Sequence, residues 1–444
     1  MKVLYCTLIF SASIFSFPSL KAQTMPYPAL VGYWENWNTL FFANVNSAYN
    51  VIIVAFPGNS DGKYTMTLDQ WSIGPYANIA AFKSAIATAQ GQGKKVLISL
   101  GGATIPIKLD STYHKTNFIN SVGKLLTDYG FDGIDLDLET SSMNFSNIKM
   151  TGNSDVALNN MISAVQQILA NYQTAKGKRC LLTMAPEVAY VQGGYGLTGT
   201  YSGAMLPIVE ALKTNIDFLQ VQLYNTGQNI KALNGSSYTD NGSADFIIAM
   251  TEMVLQGFTT GKLSGGQGVF SGLPESKVIV GLPACASGGN FSTGVVTTTV
   301  AKQAINYLRG VGSKPGTYTL IKSGGYPNLA GMMTWDVNID KGTCSDAFAT
   351  SYSTIFAGLG TAVENNMVSN EMTLYPNPAQ QQITLDMGSN SVGANISVYN
   401  SLGQVMIQKQ VNNEQKVVLD IAGFPAGIYF IQTGQSVQKF MKVN

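Results

Sequence analysis

Eight short apolar runs recur along the first three quarters of the chain: ALVGYW (29–34), VIIVAF (51–56), VLISLGG (96–102), FDGIDLDLE (131–139), LLTMAPE (181–187), IDFLQVQLYN (216–225), VIVGLPA (278–284) and LAGMMTW (329–335). Their length and composition are those of buried strands. Most of the intervals carry helical spacing. Ile79, Phe82, Ile86 and Ala89 make one stripe, Phe118, Val122, Leu125 and Tyr129 a second, and Leu158, Met161, Val165, Ile168 and Tyr172 a third. Phe246, Met250, Met253 and Phe258 make a later one, while the first interval offers only a short helix near 40–47. Strand and helix alternating eight times point to a (β/α)8 TIM barrel. The rival is an open doubly wound sheet. The count of eight and the lack of a GxGxxG turn favour the barrel.

The pattern changes after about residue 360. AGLGTAVENNMVSNEM reads as a linker, and ITLDM, ISVYN, VMIQKQV, VVLDI, IYFIQT and KFMKV follow as short strands separated by turn signals. This is an α/β chain with a small C-terminal all-β sandwich. MKVLYCTLIFSASIFSFPSLKAQT has a charged start, an apolar run and a small residue at a plausible cut, the marks of a signal peptide. The expected organisation is a signal peptide at 1–22, a barrel at 26–360, a linker at 361–371 and a sandwich at 372–444.

Charged residues are only 11% of the chain and the net charge is +1, so nothing favours nucleic acid or an anionic membrane. No stretch is long and apolar enough for a membrane span. With Cys6 in the leader, Cys180, Cys285 and Cys344 allow one disulfide at most, in any of three pairings. The single histidine, His114, opens a helix in a polar segment and suits a surface or capping role. It excludes a His-rich zinc site. Any hydrolytic chemistry in this chain must therefore run mainly on carboxylates and aromatic hydroxyls.

FDGIDLDLE supplies the carboxylates. Asp135, Asp137 and Glu139 alternate with Ile134, Leu136 and Leu138. In a strand this period puts the acids on one face, roughly 6.6 Å apart. In a barrel the aliphatic face meets the helices and the acids enter the lumen. Glu139 then stands at the carboxyl end, where barrel enzymes do their chemistry.

DGIDLDLE (132–139) resembles the DxxDxDxE signature of glycoside hydrolase family 18, the chitinases and related endo-N-acetylglucosaminidases. SLGG (99–102), MAPE (184–187), QLYN (222–225), MMTW (332–335), YWENW (33–37) and VQGGYG (191–196) are similar to further family segments, over about residues 28 to 360. The resemblance implies a secreted chitinase cutting β-1,4 bonds between N-acetylglucosamine units with retention, without metal or organic cofactor. The substrate's own acetamido oxygen is the implied nucleophile. Glu139 is the implied general acid. Asp137 turns toward it and holds the acetamido group, Asp135 shares a proton with Asp137, and Tyr224 donates to the acetamido oxygen. Trp335 is the implied hydrophobic floor. Gln222, Asn225 and Glu187 are cleft candidates, and Trp34, Tyr33 and Trp37 are candidates for stacking on outer sugars. Ser99 is expected to orient Asp135. Many family members carry Met and Asp where this chain has Gln222 and Asn225. An endo-β-N-acetylglucosaminidase acting on the N-glycan chitobiose core is the alternative, and a non-catalytic chitin-binding lectin a further one.

LYPNPA (374–379), the SLGQ turn, PAGIYF (425–430) and the final KFMKVN resemble the C-terminal sorting domain of the type IX secretion system of Bacteroidetes. The implied partners are chitin or N-acetylglucosamine oligosaccharides and the type IX machinery, with the protein a monomer outside the cell or at its surface. A carbohydrate-binding module is the competing reading of the tail. Tyr399, Tyr429 and Phe430 are expected inside the sandwich instead of in an exposed row.

Overall fold

Parity along each apolar run decides which side chains face inward, and two separate apolar layers result. The computed structural model describes residues 23–59, 61–196, 201–226, 229–261, 263–285, 293–357, 373–386, 392–400, 404–412, 414, 416–433 and 436–443. The expected leader at 1–22 and linker at 361–371 lie outside the described residues. The chain divides into two compact units, Met1–Thr361 and Ala362–Asn444.

In the first unit eight parallel strands form the barrel: β1 Ala29–Glu35, β2 Val51–Ala55, β3 Lys95–Gly101, β4 Gly133–Asp137, β5 Leu181–Met184, β6 Phe218–Leu219, β7 Ile279–Pro283 and β8 Gly331–Trp335. The sheet runs β7-β8-β1-β2-β3-β4-β5-β6. Single bridges from Leu219 to Val278 and from Gln222 to Gly281 link its two ends. The sixth run is expected over 216–225, yet its regular strand is only Phe218–Leu219. Beyond it Gln220 donates its N–H to Met184 O, but Pro186 has no N–H for the Gln220 carbonyl, so the regular ladder breaks and only an isolated bridge from Glu187 to Gln222 continues it.

The helical stripes fold as Ile79–Gly91, Thr112–Tyr129, Val156–Lys176 and Ala244–Gln256. Side chains of Asn78, Ser111, Asp155 and Ser243 cap their first turns. Phe258 departs from the expectation. Gly257, at φ 73, follows the last helical residue, and Phe258 begins a short strand, Phe258–Thr260, paired with Gly268–Phe270. The first crossover carries only a single 3-10 turn, Phe42–Asn44.

The outer layer joins Val96, Ile98, Leu100, Ile134, Leu136 and Leu138 to Phe82, Phe118, Val122 and Met161 on the helices. Each such side chain contributes about 1.5–3 kcal/mol on full burial. The inner layer is smaller and holds Val31, Tyr33, Val51, Ile53, Leu97, Leu181, Phe218, Ile279 and Met333. Cys285 and Cys344 form a disulfide, which selects one of the three possible pairings. Cys180 is free and buried, and burial pushes its thiol up to about 12.

The second unit is all-β. Thr373–Tyr375, Gln382–Asp386 and Lys416–Asp420 make a three-stranded antiparallel sheet. Val405–Asn412, Val392–Asn400, Gly427–Thr433 and Ser436–Lys442 make a four-stranded one. Ile383, Leu385, Ile396, Val398, Leu419, Tyr429, Ile431 and Phe440 form its core. Tyr429 is buried as expected, but Phe430, next along the strand, takes the opposite parity and is exposed.

Candidate active site

Asp135 lies at the centre of the lumen, fully buried. The register places Ser99 on β3 and Thr183 on β5 directly beside it. Its Oδ2 accepts from the hydroxyls of Tyr33 (2.7 Å) and Ser99 (2.7 Å). Its Oδ1 accepts from Thr183 Oγ1 (2.6 Å) and Gln220 Nε2 (3.2 Å). Burial raises the carboxyl, and the four donors oppose that rise. Asp135 thus has four donors of its own.

Two positions further along the same face, Asp137 is also buried. Glu139 follows at the lip, where it precedes the short turn Thr140–Met143, and is partly open. The two carboxyls hydrogen-bond to each other. Burial lifts Asp137 well above the usual carboxylate range, and the charges of Glu139 and Asp135 add to it. Burial also lifts Glu139, while hydrogen bonds from Gln222 and Asp137 pull it back. The pair therefore retains a proton more strongly than isolated carboxyls do.

Gln222 brackets this pair. Its Nε2 donates to Asp137 Oδ1 (2.8 Å), Glu139 Oε1 (3.2 Å) and Ala185 O (2.9 Å). Tyr224 is buried on the same segment, and burial followed by the charges of Asp137 and Glu139 pushes its phenol well up. Asn225 lies exposed at the rim in the left-handed conformation, φ 53, with its N–H on Thr293 O (3.0 Å).

The backbone behind β4 is tight. Gly102 N–H donates to Asp137 O (2.7 Å), and a Cβ on Gly101 would fall 2.1 Å from the same oxygen. With φ +117, Gly101 also has a backbone conformation that side chains rarely adopt. The SLGG segment is therefore a close-approach device that sets Asp137.

Trp335 is partly exposed and stacks on Phe56, with centroids 5.8 Å apart and planes at 15°. Tyr33 lies 5.5 Å from it and Trp37 6.3 Å. Two expected stacking residues are corrected here. Trp34 is fully buried among Phe42, Tyr76 and Phe82, and its Nε1 donates to Leu40 O (2.7 Å). Its even position on β1 faces the helix layer. Tyr33 is also buried; it faces the lumen and holds Asp135. Trp37 is the aromatic left open, at 58% exposure.

Glu187 is half-buried beside the pair. Its Oε1 accepts from Tyr190 OH (2.8 Å), and that hydroxyl accepts the N–H of Thr140 (2.9 Å), the residue after Glu139. Burial and the charge of Glu139 raise it, and Tyr190 lowers it. No ion pair involves Glu187 among the described residues. The first acid of the motif, Asp132, is elsewhere, on Lys178 Nζ (3.1 Å) and the N–H of Val96 (3.1 Å), where it braces the strand ends.

Thr183, Gln220, Phe56 and Asp336 belong to the site's surroundings but were not expected there. Strand parity was the available signal for Thr183 and Gln220, since each shares the lumen face of an already identified residue. Asp336 follows Trp335, caps the helix Val337–Gly342 and is fully buried.

Comparisons with known proteins agree with this geometry. Residues 29–345 match the model of glycosyl hydrolases family 18, and residues 373–443 that of the secretion system C-terminal sorting domain. Chitinase Chi52 of Paenibacillus xylanexedens is 38% identical over 349 residues, 76% of this chain and 63% of that protein. Chitinase ChiA of Flavobacterium johnsoniae is 33% identical over 434 residues, 92% of this chain but 27% of that protein. The chain thus spans less than two thirds of the length of either relative. A family 18 chitinase from Chromobacterium violaceum has TM-score 0.65 and 32% identity, covering 75% of this chain and 84% of that one. The sorting domain makes the protein a secreted or cell-surface one. With the model match running through all eight strands and the acid-lined lumen, the chain belongs to glycosyl hydrolase family 18.

Proposed function

We propose that the barrel is a chitinase, hydrolysing β-1,4 bonds between N-acetylglucosamine units with retention and with the substrate's acetamido oxygen as nucleophile. The observation that carries the reading is the hydrogen-bonded Asp137 and Glu139 pair on one strand face. Two carboxyls so placed approach the sugar from one side, as an acid and its helper. They do not flank the bond as an acid and a nucleophile do. On the wall that carries Trp335, Asp336 is fully buried as a helix cap, a poor position for a nucleophile.

In this reading Glu139 protonates the glycosidic oxygen, and Asp137 holds the acetamido N–H and the positive charge that forms on the ring. Tyr224 donates to the acetamido oxygen, and Trp335 supports the reacting sugar. Glu139 later takes a proton from the incoming water. The names of the relatives support chitin over an N-glycan core. The C-terminal unit engages the type IX secretion machinery.

Early-time NMR of chitin oligosaccharide digestion tests the mechanism. The first products are expected as the β-anomer, and analogues with a hydroxyl in place of the acetamido group are expected to be inert. Glu139→Gln is expected to lose at least about 10²-fold in kcat. An initial α-anomer would mean direct attack by water and would overturn the reading.

A further inference from the structure

Glu187 has no cationic partner among the described residues. One carboxyl oxygen accepts from Tyr190 (2.8 Å), and the other, Oε2, has no partner among the described residues. Oε2 is not sealed in the core, and the side chain is half open to the cleft. Burial, then the charges of Glu139, Asp135 and Glu187, raise Asp137, and burial and Glu139 raise Glu187, so these carboxyls stand together with no cation to ease their ionisation. Among the described residues no lysine or arginine pairs with any of these carboxyls. A neutral polymer leaves any negative charge on them uncompensated. A sugar bearing an ammonium group compensates it through a charge-assisted hydrogen bond.

Position selects which sugar this is. The inference rests on the chitinase reading, in which the reacting sugar must keep its acetamido group and so has no amine. Glu139 donates to the bridging oxygen and therefore stands at the junction with the leaving sugar. Glu187 is tied to that junction through Tyr190 and the Thr140 peptide. We propose that Glu187 reads the sugar on the leaving side of the bond and favours glucosamine there, with the C2 ammonium on Oε2, so that partly deacetylated chitin is a preferred substrate.

The test is digestion of a randomly acetylated chitosan, with sequencing of both new chain ends. New non-reducing ends report the leaving sugar. Their ratio of glucosamine to N-acetylglucosamine is expected to exceed the polymer's by roughly fivefold to tenfold. In Glu187→Gln, which keeps an oxygen for Tyr190, the enrichment is expected to vanish. In Glu187→Lys glucosamine is expected to fall below the polymer's composition. The readout is a ratio within one digest, so a variant with a lower overall rate still reports it. Wild-type ends at the polymer's composition, or an enrichment that survives Glu187→Gln, would overturn the proposal. Glucosamine at the new reducing ends would instead overturn the acetamido mechanism on which it rests.

Discussion

One amide holds the geometry on which Glu139 depends. Gln222 offers two N–H groups to three acceptors, Asp137 Oδ1 at 2.8 Å, Ala185 O at 2.9 Å and Glu139 Oε1 at 3.2 Å, so it aligns both carboxyls at once. The same amide pulls Glu139 down against its burial. Gln222→Ala removes that restraint, and Glu139 then keeps its proton to higher pH. The alkaline limb of the kcat/KM profile on chitin oligosaccharides should therefore move up in pH. The rate at the optimum should fall by roughly one to two orders of magnitude, because the pair loses alignment. A limb that stays put or moves down would show that Gln222 does not set the acid's proton affinity.

At the scale of the element, the junction between β8 and the following helix concentrates a buried charge problem. Asp336 accepts the N–H of Ile339 (2.8 Å) as the helix cap. Burial and the charge of Glu35, at the end of β1, push it up to about 8. Its Oδ2 is buried with no donor, which fits a carboxyl that keeps its own proton and gives it to Glu35. In the unfolded chain the same group ionises near 3.8. Between these values the unfolded state releases a proton that the native state retains, so this group's contribution to stability falls as pH rises through the window. Asn caps a helix about as well as Asp and donates toward Glu35 at every pH. Asp336→Asn should thus gain in Tm over wild type progressively from about pH 4 to pH 8, as thermal melts across that range will show. A difference in Tm that is constant with pH would count against the assignment.

For the molecule as a whole, export and covalent structure fit together. The sorting domain places the chain outside the cytoplasm, where disulfides persist. The Cys285 to Cys344 bridge, at a sequence separation of 59, closes a loop that includes β8 and Trp335. A loop of that size restricts the unfolded chain by about 4 kcal/mol. Cys344→Ser is expected to lower the denaturation midpoint of the barrel accordingly, and a reductant should bring wild type to the same midpoint. A wild-type midpoint indifferent to reductant would show that the bridge adds no stability.

Local periodicity determined much of this protein. The spacing of two in IDLDLE put Asp135, Asp137 and Glu139 on one face. Eight alternations made the barrel, and the change of pattern near 360 marked the second unit. These follow from strand and helix geometry, which neighbouring residues set among themselves. Parity also separates Tyr33 from Trp34, but it lapses past the end of β1. There only the packed mouth left Trp37 open, stacked on Phe56 and tilted toward Trp335. Ser99 was expected beside Asp135, but the other donors, Thr183, Gln220 and Tyr33, come from 48, 85 and 102 residues away, and these residues do not themselves announce that they meet it. Closure of the ring brings them together, as it brings Glu35 to Asp336 and Cys285 to Cys344. Strand stagger and the packing of helices around the barrel decide those meetings, because both depend on every strand at once.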